Sequence, residues 1–115
     1  MDIETLAAKI LKISPSVRYV SVISLTGKLV YSAHKKSVKT SLSKQESRAS
    51  IIMAAKAWKA RKALAKKIGR CKYVVAEYDQ VKRITLPAGK NHLLYITTST
   101  GANHNSIIQR VRRFR

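Results

Sequence analysis

The chain has 115 residues, of which 45% are hydrophobic. This is enough for one ordinary core, and it excludes a merely disordered basic tail. Lys and Arg number 24 against five Asp and Glu, giving a formal net charge of +19. Such a charge attracts polyanions in a salt-dependent way, so we expect a phosphate-rich partner. No apolar run of about 18 residues and no signal segment is visible, so we expect a cytoplasmic protein without a membrane partner.

The first third of the chain predicts a short helix followed by a β-hairpin. Apolar residues recur at helical spacing over residues 2–13, and Ser-Pro-Ser at 14–16 ends the helix, because the residue before proline avoids the α region. Residues 17–24 are rich in β-branched and aromatic types and predict a strand. Gly27 permits the turn, and residues 28–33 form the return strand.

A long basic helix is predicted for the middle of the chain. Residues 34–42 are polar and basic and indicate a loop. Ser43 is a candidate N-cap, and Glu46 three residues later completes a capping-box pattern. The helix is predicted to run to about Ile68 and to end at Gly69, which can adopt the left-handed cap conformation.

Three strands and a last helix are predicted for the remainder. The strands are assigned to residues 71–78, 81–86 and 92–99. Asn103 or Asn105 is expected to cap the last helix, which extends to about Arg112. The single cysteine, Cys71, allows no disulfide within the chain, and we expect it to pack in the strand that it opens.

The order of these elements is α-β-β-α-β-β-β-α. Two antiparallel strand units separated by a helix predict an α+β fold with a single antiparallel five-stranded sheet and the long helix on one face. We expect residues 1–115 to form a single domain with a basic C-terminal tail at about residues 110–115.

Two stretches of the sequence carry a resemblance. KILKISPSVRYVSVISLTGKLVYSA resembles the opening of small archaeal domains of unknown function, and KKIGRCKYVVAEYDQVKRITLPAGKNHLLYITTS continues the likeness over most of the chain. The resemblance implies a roadblock-like or profilin-like sheet and no known chemistry. It would also allow a homodimer. The members of that group are less basic than this chain.

The long helix carries eight basic residues against Glu46 alone. At about 100° per residue, its apolar and basic positions fall on opposite sides. Like charges recur three and four residues apart, where they repel each other, which indicates an anionic partner. The apolar face predicted to pack on the sheet consists of Ala49, Met53, Ala57, Ala60, Leu64 and Ile68. The predicted lysine ridge consists of Lys44, Arg48, Lys59, Lys62 and Lys66.

Trp58 falls beside the lysine ridge and off the predicted apolar face. Two interpretations are open. The ring could stack on a base or a ribose. Alternatively, it could pack against the C-terminal helix, a loop or another subunit.

Basic residues in the loop before the helix and at the C-terminus extend the predicted binding surface. The arginine-rich tail could thread into structured RNA and order on binding, or it could fray. The residues predicted to bind nucleic acid are Lys35, Lys36, Lys39, Lys44, Arg48, Lys56, Lys59, Lys62, Lys66, Arg110, Arg112, Arg113 and Arg115.

No residue pattern in the sequence indicates a catalytic site. His34, His92 and His104 lie far apart without metal-ligand spacing, and the four glycines form no phosphate-binding loop. We therefore predict no catalytic residue, no metal site and no cofactor.

Three functions follow from the sequence. The leading prediction is a non-catalytic protein that binds structured ribosomal RNA through backbone and shape contacts, next to neighbouring ribosomal proteins. RNA is favoured over DNA, and the first alternative is a DNA-coating, chromatin-like protein of the nucleoid. The second alternative is a roadblock-like dimeric scaffold whose charge serves an acidic partner protein.

Overall fold

The computed structural model describes residues 2–36 and 42–114. Nine helices and strands are found within these residues. In chain order they are α1 (Ile3–Leu11), β1 (Val17–Ser24), β2 (Leu29–His34), α2 (Lys44–Lys62), α3 (Ala65–Ile68), β3 (Val74–Glu77), β4 (Lys82–Ala88), β5 (His92–Thr98) and α4 (His104–Phe114).

The strands form one five-stranded sheet in the order β2-β1-β5-β4-β3, and every neighbouring pair is antiparallel. The predicted α+β fold class is therefore confirmed. β1 lies between β2 and β5, so the first hairpin and the last three strands join at the β1–β5 pair. This pairing brings together residues more than 70 positions apart, such as Val20 and Ile96.

The main core lies between one face of the sheet and the helices α1 and α4. Alternate residues of the central strands point to this face, because successive strand side chains alternate between faces. α1 and α4 cover them with their own apolar stripes. The buried residues of this core include Ile10, Val20, Val22, Ile84, Leu86, Leu94, Ile96, Ile107 and Val111.

The predicted helix starts have the hydrogen bonds that a cap requires. Ser43 Oγ accepts from the backbone N–H of Glu46 at 3.1 Å, and Glu46 Oε1 accepts from the backbone N–H of Ser43 at 2.9 Å. Asp2 Oδ1 accepts from the backbone N–H of Thr5 at 2.7 Å and caps α1. Of the two candidates for the last helix, Asn103 provides the cap, through the backbone N–H of Ser106.

The long helix ends earlier than predicted. α2 stops at Lys62, and α3 is a separate single turn, so one continuous helix to Ile68 is wrong. The backbone N–H of Leu64 donates to Arg61 three residues back at 3.1 Å, which tightens the chain at the break. Consecutive and closely spaced lysines on both sides of the break repel each other and give the continuous helix no side-chain support.

The predicted strand limits are shifted at both ends of the last sheet unit. β3 begins at Val74, so Cys71 precedes the strand instead of opening it. β4 was predicted to end at residue 86, but it continues through Pro87 to Ala88. The turn between β3 and β4 is closed by the backbone N–H of Tyr78, which donates to Val81 at 2.8 Å.

The predicted C-terminal tail is folded over its described part. α4 continues to Phe114, with Ile107, Ile108 and Val111 buried against the sheet. Arg110 donates from its guanidinium to the backbone carbonyl of Ile13 at 2.9 Å. The last helix, predicted to end at about Arg112, therefore continues to Phe114, because Val111 and Phe114 extend its apolar face. Arg115 lies outside the described residues.

Candidate functional site

α2 packs on the sheet with a different face from the one predicted. Ala55 and Trp58 are buried, and Ile51 and Ala54 are half-buried. Ile51, Ala54 and Trp58 pack over the face of the sheet opposite to α1 and α4. Met53, predicted to pack on the sheet, is 58% exposed. Leu64 and Ile68 lie beyond the end of α2 and are also exposed.

Trp58 is a core residue. Its side chain is 4% exposed and packs with Ile23 of β1 and Leu93 of β5. Stacking on a nucleic-acid base is excluded by this burial, since the ring offers almost no free face. The ring packs on the sheet, whereas the sequence suggested the C-terminal helix, a loop or a second subunit.

A polar group of three side chains joins α2 to the sheet beside this small cluster. Arg83 Nη1 of β4 donates to Ser50 Oγ of α2 at 2.5 Å and to Tyr95 Oη of β5 at 2.9 Å. The guanidinium also lies over the Tyr95 ring, 5.2 Å from its centroid. No carboxylate of the described residues pairs with Arg83. These hydrogen bonds fix α2 in one rotation about its axis.

The rotation turns the other apolar face of α2 to solvent. We call this the outer stripe: Ala49, Ile52, Met53 and Ala57, with Lys56 beside them, lining one shallow groove. The turn between β1 and β2 reaches the side of this stripe, because a Cβ at Gly27 would lie 3.3 Å from Ile52. Within the outer stripe, Ala57 is half-buried, whereas Ala49, Ile52 and Met53 are exposed.

Two basic residues of the predicted binding surface, the half-buried Lys35 and the exposed Arg110, hydrogen-bond to backbone carbonyls of the chain. Lys35 Nζ donates to the backbone carbonyls of Ser14 at 2.6 Å and Val17 at 2.5 Å, and burial lowers the pKa of this lysine. Arg110 holds the carbonyl of Ile13, as described above. Both side chains bind the segment that connects α1 to β1 and so have a structural role.

The other predicted basic residues that the structure describes are exposed. Five of them are on α2, Lys66 of the predicted lysine ridge is on α3, and Arg112 and Arg113 are on α4. Lys39 lies outside the described residues. The exposed group consists of Lys36, Lys44, Arg48, Lys56, Lys59, Lys62, Lys66, Arg112 and Arg113.

Lys82 is a buried cation that the sequence analysis missed. It is 8% exposed, and its Nζ donates to the carbonyl of Ala102 at 2.9 Å and lies 3.2 Å from His104 Nδ1. Glu77 lies 3.7 Å away and forms the one ion pair among the described residues. The alternation of β4 could have revealed it, since Lys82 shares a face with Ile84 and Leu86.

A cavity of about 750 Å³ opens at the end of the sheet where β1 and β4 finish and β5 begins. It was not predicted, because its walls come from segments far apart in sequence. We call it the end cavity. Its lining divides into an apolar floor of buried and half-buried residues and a basic rim. The floor consists of Leu25, Trp58, Ala65, Cys71 and Pro87, and the rim of Lys62, Arg70, Lys72, Gly89, Lys90, His92 and Arg112.

Residues 2–36 and 42–114 contain neither a metal-binding cluster nor a membrane-spanning helix. No three His, Cys, Asp or Glu side chains in that part of the chain lie close enough together to hold a metal ion. Over the same residues, no helix combines the length and the apolar character needed to cross a membrane.

No family model matches this sequence, and no curated protein matches it either. Solved structures do match. The gliding protein MglB from Thermus thermophilus superposes with a TM-score of 0.78 at 17% identity, over 96% of this chain and 80% of that one. MglB with a tetrameric arrangement gives 0.79 at 18% identity, over 96% and 79%. A roadblock/LC7 domain from Streptomyces avermitilis gives 0.68 at 16% identity, over 99% and 98%.

The matched structures include roadblock/LC7 domains, MglB, MglC and profilins, and none of these is a ribosomal protein. The prediction of a ribosomal RNA-binding protein is therefore wrong. That prediction rested on the net charge, which indicates the class of partner but carries no information about the fold. This chain has the roadblock fold, which agrees better with the roadblock-like alternative than with the ribosomal prediction.

Proposed function

We propose that the protein is a non-catalytic scaffold that forms a homodimer through the outer stripe of α2 and presents its basic surface to an acidic partner protein. The observation that carries this proposal is the exposed apolar groove on α2. A cytoplasmic location and kinship with the small archaeal domains belong to the same proposal.

The outer stripe has the composition of a helix–helix interface. Ala49 and Ala57 are small and let a second backbone approach closely, while Ile52 and Met53 supply apolar area to bury. An exposed apolar patch on an otherwise highly charged surface costs solubility unless a partner covers it. A second copy is the simplest partner, since a two-fold axis matches one patch with itself. The tetrameric arrangement of MglB supports self-association in proteins of this fold.

The charge of the chain supports an acidic partner for the assembled scaffold. Lys44, Arg48, Lys59 and Lys62 of the lysine ridge are exposed on α2 and do not line the groove of the outer stripe. A dimer would therefore leave the ridge accessible and present it twice. Like charges on one helix repel each other, and an acidic surface relieves that repulsion.

The dimer is tested by sedimentation equilibrium of wild type, Met53→Asp and Leu29→Asp. Met53 and Leu29 are exposed to a similar extent, 58% and 55%, so both variants place one new charge on an exposed apolar position. We expect wild type and Leu29→Asp to sediment as dimers and Met53→Asp as a monomer with an unchanged circular dichroism spectrum. A monomeric wild type, or a dimer that Met53→Asp leaves intact, would refute the proposal.

A further inference from the structure

The end cavity lies apart from the outer stripe and is assembled by the whole fold. Its walls come from the ends of β1 and β4, the C-terminal part of α2, α3, the segment before β3, the β4–β5 turn and α4. Its volume of about 750 Å³ is within the range of small-molecule sites, which is roughly 300–1,000 Å³.

Five cations converge on the rim of the end cavity. They come from four different parts of the fold, and no carboxylate lines the cavity with them. Among the described residues, none of the five takes part in an ion pair or a side-chain hydrogen bond. A concave surface with charges of one sign focuses the field into its opening. The five are Lys62, Arg70, Lys72, Lys90 and Arg112.

The floor of the cavity is apolar and largely fixed. Trp58 is held by Ile23 and Leu93, and Leu25 and Cys71 pack against the same cluster. The cavity therefore offers two different environments a short distance apart. One suits an apolar or planar group, and the other suits several negative charges.

We infer that the end cavity binds a small organic polyphosphate, a molecule with an apolar or ring-bearing body and at least two phosphate groups. The phosphates would lie among the rim cations, where Arg70 and Arg112 can each give two parallel hydrogen bonds. The body would cover the half-buried floor residues Leu25, Cys71 and Pro87, above the buried ring of Trp58. The end cavity is formed by one chain alone, so failure of the proposed dimer would leave this inference unaffected.

A polyphosphate fits these features better than an acidic protein does. An acidic protein surface needs a broad and open basic area, which the lysine ridge of α2 supplies. The end cavity is concave and combines dense charge with an apolar floor, which is the usual design of a small-molecule site.

ATP without Mg²⁺ is a suitable probe, with tripolyphosphate and adenosine as its two halves. Trp58 is the single tryptophan of the sequence, so its emission reports on the floor of the cavity alone. Cys71 is the single cysteine and lines the same floor, so ligand binding should slow its reaction with N-ethylmaleimide. We expect ATP to bind saturably at one site per chain, to change the emission of Trp58 and to protect Cys71. Tripolyphosphate and adenosine should each bind at least about tenfold more weakly, because each makes only one of the two sets of contacts.

The double variant Arg70→Gln/Lys72→Gln and the control Lys12→Gln/Lys28→Gln lose the same charge. All four residues are exposed, and only the first pair lines the cavity. We expect ATP binding to fall at least about tenfold in the first and less than twofold in the control. Equal losses in both variants would mean unspecific attraction to net charge and would overturn the inference. So would the absence of saturable binding, or binding of ATP that leaves both Trp58 and Cys71 unaffected.

Discussion

The hydroxyl of Ser50 on α2 lies 2.8 Å from the hydroxyl of Tyr95 on β5, and both contact the guanidinium of Arg83. This contact crosses from the helix to the middle of the sheet, where Tyr95 pairs with Ser21 of β1 and Thr85 of β4. Together with Trp58 at the other end of the helix, it sets which side of α2 faces the sheet. The exposure of the outer stripe follows from that rotation.

We expect Ser50→Ala to lower the free energy of unfolding by about 1–2 kcal/mol, because the Arg83 guanidinium loses one of its acceptors in a half-buried place. Ser32→Ala, at an exposed position of β2, should change it by less than about 0.5 kcal/mol. Urea denaturation followed by circular dichroism measures both. The double variant Ser50→Ala/Tyr95→Phe should cost less than the sum of the single variants. Additive effects would contradict a shared network.

Trp58→Ala should cost about 3–5 kcal/mol, since it removes the largest side chain of the cluster with Ile23 and Leu93. Met53→Ala should leave the stability of the monomer nearly unchanged, because its side chain is mostly exposed. Denaturation of both variants at a low protein concentration, at which a dimer dissociates, gives the two free energies of unfolding. A larger loss for Met53→Ala would mean that the outer stripe faces the sheet after all.

The hairpin and the helix caps could be predicted because their signals are local. β1 was predicted with its observed bounds, Val17–Ser24, and the capping box of Ser43 and Glu46 occurs as the spacing indicated. The packed face of α2 could not be predicted in the same way. The helix has two apolar stripes, and the choice depends on the shape and polarity of the sheet surface under it. Counting Leu64 and Ile68 as part of α2 favoured the wrong stripe.

The end cavity lay beyond sequence reasoning for a related reason. Its rim joins Lys62, Arg70, Lys90 and Arg112, which come together only when the sheet and three helices are in place. The sequence located much of the charge on the long helix, the loop before it and the C-terminus. It could not distinguish cations that point to solvent from those that hold backbone carbonyls, such as Lys35 and Arg110.

Two helix caps predict a loss of stability in acid. Hydrogen bonds from Thr5 and Ser43 lower the pKa of Asp2 and of Glu46 from their ordinary values of 3.8 and 4.5. A carboxylate with a depressed pKa in the folded state stabilises the protein above its unfolded pKa. That stability is lost as the pH falls through the folded value.

The double variant Asp2→Asn/Glu46→Gln should therefore show a flatter dependence of unfolding free energy on pH than wild type between about pH 5 and pH 2. The control Glu4→Gln removes a carboxylate that accepts no hydrogen bond within the described part of the chain. It should flatten the slope less than the double variant does. Urea titrations at several pH values give the slopes, and an unchanged slope in the double variant would contradict the capping role.

Lys35 and Lys36 are neighbours of the same charge, yet the structure gives them different roles. Lys35 bridges the carbonyls of Ser14 and Val17 from the end of β2, whereas Lys36 is exposed. Lys35→Ala should lower the free energy of unfolding by about 2 kcal/mol, because two carbonyls lose a charged donor, and Lys36→Ala should leave it within about 0.5 kcal/mol of wild type. Both variants lose one positive charge, so a general relief of repulsion would affect them equally. Equal stability of the two variants would show that Lys35 belongs to the solvent-facing charge, as its sequence context indicated.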